Sequence, residues 1–297
     1  MIQCKYCGFI NKKKYILISV FVGILLFLSF LYYKKTLFIK NNASYDKIYV
    51  ISLDGSSRWP DTEKRLLDAG LEFSKFPAVA AKDLLITNLD NNETIFGAEA
   101  LEKQIPIKKY TWYLIKCAQD RNSGNGLIFY TRRNLNVQEA ALICSNYLVW
   151  QDAIKNKYNN IVIFEDDAIP IGKDFHVWLE NYVKNLPKNY DLAFLWNGFT
   201  MPPKRVPINN YIAAFPDDYG AGNGTLGMVY SRQCIEKLLK FKFITAELDL
   251  FLMDNRKIKS NLYGTLDIYA SYNDRLIHPP LTEGQSKIFR YIQDKDR

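Results

Sequence analysis

Apolar and polar residues alternate in blocks near the start of the main body of the chain. A β-branched and aromatic run at residues 47–53 (KIYVISL) predicts a short, buried strand. A predicted helix follows over residues 59–69 and ends at Gly70, and a second strand is predicted at residues 71–79. This order of strand, helix and strand is typical of an α/β sheet.

The same alternation returns in the second half of the chain. Apolar residues at helical spacing predict a helix over residues 136–157. The run at 161–164 (IVIF) then predicts a strand that is buried on both faces. Further elements are predicted as a helix at 174–184, strands at 190–196 and 225–230, and a helix at 232–240.

Two regions lack a clear pattern. Residues 82–135 contain clusters of Asn, Gly and Arg around positions 121–134, which predict a mobile loop over a site. We expect Asp249 and His278 to lie in an irregular C-terminal part of the chain.

The N-terminal part contains an apolar segment at residues 15–33 that has no charge, proline or amide. At about 1.5 Å per helical residue it would cover roughly 28 Å, close to the hydrocarbon thickness of a bilayer. The segment is too long for a signal peptide and no small-residue cleavage site follows it, so it predicts an uncleaved, single-pass membrane anchor. Lysines on both sides leave the orientation open. The predicted organisation is a basic tail at 1–14, the anchor at 15–33, a stalk at 34–46 and one domain at 47–297.

The net charge of +8 is located almost entirely before this domain. Residues 1–47 contain eight lysines and Asp46 as the single acid, a net charge of +7, so residues 48–297 carry only +1. A nearly neutral domain without a recognisable nucleic-acid-binding module argues against nucleic acid as a partner.

Three acids, Glu165, Asp166 and Asp167, directly follow the predicted buried strand. Ligands of open α/β sheets bind beyond the carboxyl ends of such strands. Clustered carboxylates repel one another, and a hard divalent cation such as Mg²⁺ or Mn²⁺ neutralises them while also binding a diphosphate. A solvated turn, or a helix start capped by an Asp, explains the acids equally well. The acids alone leave both interpretations open.

Four blocks in order along the chain resemble glycosyltransferase family 25, the lipopolysaccharide-type and collagen-type galactosyltransferases. The resemblance extends over most of residues 47–286. The blocks are 50–58 (VISLDGSSR) with 70–73 (GLEF) and 76–79 (FPAV); 138–145 (QEAALICS), leading through Trp150 into 164–167 (FEDD); 224–232 (GTLGMVYSR); and 248–249 (LD) with 278–280 (HPP).

The resemblance implies a GT-A-like, Rossmann-like α/β domain that binds a nucleotide sugar. It also implies an inverting, metal-dependent transferase that moves a sugar, most simply galactose, from a UDP-sugar to a glycan or a glycosylated acceptor. The implied cofactor is Mn²⁺ or Mg²⁺, and the implied setting is lipopolysaccharide biosynthesis.

The resemblance also assigns roles to individual residues. Asp167 would coordinate the metal, while Glu165 or Asp166 would contact the ribose or the sugar of the donor. Asp249 would be the general base, with Glu247 as its nearest rival. The remaining residues expected to bind the donor are Arg58, Gly224, Thr225 and His278.

Two departures from the family pattern favour an alternative function. Asn146 stands where the family usually has histidine, and Gly55 stands where a basic residue is frequent. Asparagine does not ionise, so any acid/base role of that histidine is lost. The alternative is a catalytically inactive GT-A-like scaffold that binds a glycan or a protein partner. A phosphoryl-transfer or hydrolytic enzyme is disfavoured because the chain has no P-loop.

Overall fold

The computed structural model divides the chain into two compact units, residues 1–43 and 44–297. The structure describes residues 21–29, 44–116, 126–196, 206–215, 224–256, 265–272 and 275–277. In the first unit, residues 21–29 are helical and exposed. Within the described residues, no helix has both the length and the apolar character needed to cross a membrane. The structure therefore does not support the predicted anchor at 15–33. Most of that segment lies outside the described residues, so the anchor stays a prediction.

An eight-stranded mixed sheet is the centre of the second unit. Its strands, in chain order, are β1 (Lys47–Ser52), β2 (Ser74–Pro77), β7 (Asn160–Glu165), β9 (Leu192–Phe194), β10 (Val206–Pro207), β11 (Ile212–Ala214), β12 (Gly227–Ser231) and β13 (Ile268–Ser271). Their spatial order is β10-β11-β13-β9-β12-β7-β1-β2. Strand β1 is parallel to both β2 and β7, whereas β12 is antiparallel to β7 and β9.

Two smaller sheets accompany the main one. An antiparallel sheet in the order β4-β3-β5-β6 and a two-stranded pair β14-β8 complete the described strands. Their bounds are β3 (Leu85–Asn88), β4 (Thr94–Phe96), β5 (Trp112–Lys116), β6 (Leu127–Tyr130), β8 (Ile169–Pro170) and β14 (Leu276–Ile277). The described α-helices of this unit are α1 (Trp59–Asp68), α2 (Gly97–Glu102), α3 (Val137–Lys155), α4 (Phe175–Lys184), α5 (Arg232–Leu238) and α6 (Leu248–Asp254).

The central strands are buried on both faces, as their continuous apolar sequences predict. In β7, Ile161 and Ile163 belong to one hydrophobic core, and Val162 and Phe164 belong to the other. The first core packs against α3, and the second packs against α1 and α4. Because side chains alternate across a strand, one unbroken apolar run fills both cores. The predicted mixed α/β fold is confirmed.

The predicted irregular regions contain more order than the sequence indicated. The antiparallel sheet of β3 to β6 lies within residues 82–135, which showed no clear pattern because these short strands alternate too weakly to stand out. Strand β6 lies within the loop that we expected around residues 121–134, and residues 121–125 lie outside the described residues. Asp249 also lies in the first turn of helix α6 and not in an irregular segment.

Neighbouring leucines of helix α1 test this arrangement of the cores. Leu66 is fully buried, whereas Leu67 is 59% exposed. We expect Leu66→Ala to lower the free energy of unfolding by about 2–5 kcal/mol, because it leaves a cavity under β1. Leu67→Ala, the matched control, should change it by about 0.5 kcal/mol or less. Urea denaturation measures both, and equal effects would contradict the packing of α1.

Candidate functional site

Three loops meet at one edge of the main sheet. Strands β1 and β7 are parallel neighbours with Ile51 opposite Glu165, so their carboxyl ends coincide. Strand β12 runs antiparallel to β7 with Gly227 opposite Phe164, so β12 begins at the same edge. The residues after β1, the residues after β7 and the residues before β12 therefore come together.

Asp166 is the most tightly held acid of this edge. It is only 4% exposed. Its carboxylate accepts hydrogen bonds from Ser52 Oγ at 2.9 Å and Ser56 Oγ at 3.0 Å, and it pairs with the Arg58 guanidinium at 2.6 Å. Its backbone carbonyl accepts a hydrogen bond from the Thr62 hydroxyl of helix α1. These contacts fix the loop after β7 against the loop after β1.

Arg58 connects two of the acids. Its second guanidinium nitrogen lies 3.3 Å from Asp167 Oδ2. The Arg58 side chain is 56% exposed, whereas the side chain of Asp167 is 15% exposed. An exposed guanidinium beside buried carboxylates can move toward an anionic ligand with little loss of packing.

The start of β12 brings in the remaining predicted residues. The Thr225 hydroxyl donates a hydrogen bond to Glu165 Oε1. The backbone N–H of Gly224 donates to Asp249 Oδ2 at 3.0 Å, which places the first turn of α6 beside the acids. Gly224 has φ +71°, and a Cβ there would lie 2.7 Å from the ring of Trp196, so this position requires glycine.

The carboxylates act on one another electrostatically. Burial raises the pKa of Glu165 to about 7, and the negative charges of Asp167, Asp166 and Asp249 add to the rise, against the hydrogen bond from Thr225. A group that titrates near neutral pH in a cleft is typical of a functional site.

Arg133 is a charged residue of the region that the sequence patterns did not single out. Its guanidinium lies 2.5 Å from Glu247 Oε2 and 3.0 Å from Glu139 Oε1. Burial acts to lower the pKa of Arg133, but Glu247, Glu139 and Asp249 raise it above its ordinary value. Glu247, the rival candidate for the base, is therefore already paired with a cation.

A divalent cation fits this edge only if another bound molecule supplies some of the ligands of the ion. Within the described residues, no group of three or more His, Cys, Asp or Glu side chains is placed to hold one metal ion. Mg²⁺ and similar ions bind readily through one or two carboxylates together with phosphate oxygens and water. Asp167 beside an excess of negative charge fits that kind of site.

A comparison with protein-family models decides the classification. The model of glycosyltransferase family 25 (LPS biosynthesis protein) matches residues 45–252, more than two thirds of the 297 residues. The chain belongs to glycosyltransferase family 25. No curated protein matches the chain. Membership in this family makes the chain a glycosyltransferase and indicates a sugar donor and a glycan acceptor.

The matched part of this glycosyltransferase contains most of the residues predicted from its sequence. The structure brings seven of them together: Arg58, Glu165, Asp166, Asp167, Gly224, Thr225 and Asp249. His278 lies outside the described residues. The roles of all eight stay predictions. Ser52, the last residue of β1, and Ser56, in the turn before Arg58, are further members of the site, and the signal for both was the motif block at residues 50–58.

The two departures from the family pattern occupy different environments. Asn146 is 1% exposed, and its amide donates to the Leu142 carbonyl within helix α3. In the part of the chain that the structure describes, its side-chain oxygen has no hydrogen-bond partner. Gly55 has φ +74° in the turn after β1, a conformation that disfavours a basic side chain.

The raised pKa of Glu165 predicts a pH-dependent stability. The folded state holds this proton more tightly than the unfolded chain does, so the wild type loses stability as the pH rises from about 4.5 to about 7. Glutamine does not ionise, so Glu165→Gln removes that loss. We therefore compare the free energy of unfolding of Glu165→Gln with that of the wild type. As the pH rises from about 5 to about 8, this difference should change by about 1–3 kcal/mol in favour of the variant.

Urea unfolding at the two pH values measures this difference. Glu63→Gln, at an exposed position of helix α1, is the matched control and should show no such pH dependence. A constant difference between wild type and Glu165→Gln would show that Glu165 ionises normally in the folded protein.

Proposed function

We propose that this protein is an inverting, metal-dependent glycosyltransferase that transfers galactose from UDP-galactose to a glycan or glycosylated acceptor. Membership in glycosyltransferase family 25 supports the transferase class. The observation that carries the finer proposal is the convergence of Arg58, Asp167, Thr225 and Asp249 at one sheet edge.

The donor would lie across this edge with its diphosphate near Arg58 and Asp167. Arg58 offers an exposed guanidinium that suits phosphate oxygens. Both oxygens of the Asp166 carboxylate are already engaged by Ser52, Ser56 and Arg58, so we assign Asp166 the positioning of this loop. Glu165, held by Thr225, is then the acid that contacts the ribose or the sugar of the donor.

Asp167 would hold the divalent cation together with the diphosphate. When bound there, Mn²⁺ or Mg²⁺ would neutralise the charge that develops on the departing nucleoside diphosphate. The nearby carboxylates favour a cation for the same reason that they raise the pKa of Glu165.

Asp249 is the proposed general base. The acceptor hydroxyl attacks the anomeric carbon on the face opposite the diphosphate, which inverts that centre, and Asp249 takes the hydroxyl proton. The Gly224 N–H holds Asp249 Oδ2, and the Leu250 N–H holds Oδ1 at 2.9 Å, so the carboxylate has a fixed orientation. Glu247 is less suited, because Arg133 is bound to it.

The function predicts metal-dependent stabilisation by the nucleotide. Together, Mn²⁺ and UDP at about 100 times their Kd should stabilise the folded protein by about 2.7 kcal/mol, a rise in Tm of about 5–10 °C. UDP without Mn²⁺ should give a much smaller rise. Asp167→Ala should abolish the Mn²⁺-dependent part, whereas Asp68→Ala, at an exposed position of α1, should retain it.

These melting curves also test the proposal against a non-catalytic scaffold, which the buried Asn146 favours. A scaffold would show no coupling between Mn²⁺ and UDP, and it would not hydrolyse UDP-galactose in the presence of Mn²⁺. If folded wild-type protein gives neither signal with a panel of UDP-sugars and GDP-sugars, the enzymatic proposal is wrong.

Loss of the base predicts a defect in the chemical step. Asp249→Asn should lower kcat for sugar transfer by about 10²–10⁴-fold, because asparagine cannot accept the proton. The Tm rise with Mn²⁺ and UDP should persist. Asp254→Asn, at the other end of α6, is the matched control and should stay near wild-type activity. If Glu247→Gln gave the larger kinetic defect, the base would be Glu247.

A further inference from the structure

A cavity of about 380 Å³ lies apart from the acidic edge. Helix α2 and the turn after it form one side, and residues 133–139 at the start of helix α3 form the other. Half of the lining residues are apolar, among them Leu101 and Leu135, and the other half are polar or charged, among them Gln104 and Gln138. A lining that combines apolar and polar side chains suits a small polar ligand, and the volume lies at the small end of the range of about 300–1,000 Å³ for small-ligand sites.

One residue that lines the cavity pairs with the segment that contains the candidate base. Arg133 lines the cavity and pairs with Glu247, which directly precedes helix α6. Asp249 follows two residues later in the first turn of that helix, close enough to raise the pKa of Arg133. The Arg133–Glu247 ion pair therefore connects the cavity lining to the start of the helix that contains Asp249.

The charges of the lining indicate what kind of ligand fits. The charged lining residues are Arg133 and Glu139, which form an ion pair and have opposite charges that balance. The N-terminus of α3 is not free to bind an anion, because the Asn136 and Glu139 side chains cap it reciprocally. A neutral, polar ligand suits this lining better than a phosphate or a carboxylate does.

Gln104 in the cavity lining has a backbone conformation that favours glycine. Its φ is +52°, just after helix α2. The Gln104 N–H donates to the Leu101 carbonyl at 3.3 Å, and the Ile105 N–H donates to the Ala100 carbonyl at 2.8 Å, so Gln104 has the left-handed position of a Schellman motif. A glutamine at this position does not help the helix to end, and Gln104 is one of the residues that line the cavity.

We propose that this cavity binds a neutral sugar residue of the glycan acceptor, with Gln104 as a contact that determines specificity. The inference rests on the proposed transferase function and adds the acceptor side of the same site. Gln104 would hydrogen-bond sugar hydroxyl groups, and the apolar lining residues would pack against the C–H face of the sugar ring.

A pair of glycine substitutions tests the role of Gln104. Gln104→Gly relieves the left-handed strain and removes the side chain. Lys157→Gly is the matched control, because Lys157 has φ +61° and the same Schellman hydrogen bonds after helix α3. We expect both variants to melt at or above the wild-type Tm.

Saturation-transfer NMR with methyl β-galactoside, methyl β-glucoside and methyl galacturonide then measures binding without any donor or metal. We expect the neutral glycosides to bind the wild type and Lys157→Gly equally, and Gln104→Gly about three- to tenfold more weakly. Gln138→Trp, which places a large ring in the cavity lining, should abolish binding. The acidic galacturonide should bind most weakly.

The two proposals fail in different ways. Absence of Mn²⁺-dependent UDP-galactose hydrolysis would overturn the transferase proposal but not sugar binding in the cavity. The acceptor inference is overturned if no neutral glycoside binds the wild type, if Gln104→Gly and Lys157→Gly bind it equally well, or if the galacturonide binds best. Donor hydrolysis by the control variant Lys157→Gly should equal that of the wild type, because Lys157 lies outside both proposed sites.

Discussion

Repulsion among carboxylates at one sheet edge is the constraint around which this site is built. Glu165, Asp166, Asp167 and Asp249 lie close enough that the last three raise the pKa of the first. The protein holds them in place with hydrogen bonds from Thr225 and the Gly224 N–H and with the guanidinium of Arg58. Clustered carboxylates of this kind repel one another, which is the basis of the proposed divalent cation at this edge.

The mixed sheet determines which segments meet at that edge. Parallel pairing of β1 with β7 aligns their carboxyl ends, and antiparallel pairing of β12 with β7 adds the start of a third strand. In the described residues, helices and the small antiparallel sheet pack against the two faces of the main sheet, so the loops at its edge are where a ligand can reach the strand ends. The rigid cores thus support a site made of short loops.

The Arg133–Glu247 ion pair connects two chemically different regions. Arg133 lines the neutral cavity, where we propose that the acceptor binds, and Glu247 precedes the helix that contains Asp249 of the acidic edge. Asp249 lies close enough to Arg133 to raise its pKa. In the proposed inverting transfer, the acceptor would approach the anomeric carbon from the face opposite the leaving group, and the cavity is where we propose that the acceptor binds.

The sequence by itself determined the strands and helices at the centre of the main sheet and most of the candidate acids. Long apolar runs such as 161–164 predict buried strands because burial on both faces demands apolar side chains, and the motif blocks place Arg58, Glu165 and Asp249 on the list of site residues. Only the tertiary structure decided that Asp249 meets Gly224, that Ser52 and Ser56 bind Asp166, and that Arg133 pairs with Glu247. Those contacts join residues far apart in the chain, and local patterns carry no information about strand order or about which loops share an edge. The small sheet of β3 to β6 was not predicted, because tertiary packing decides it as well. Packing against the core stabilises its short strands more than the alternation of apolar and polar residues within each strand does.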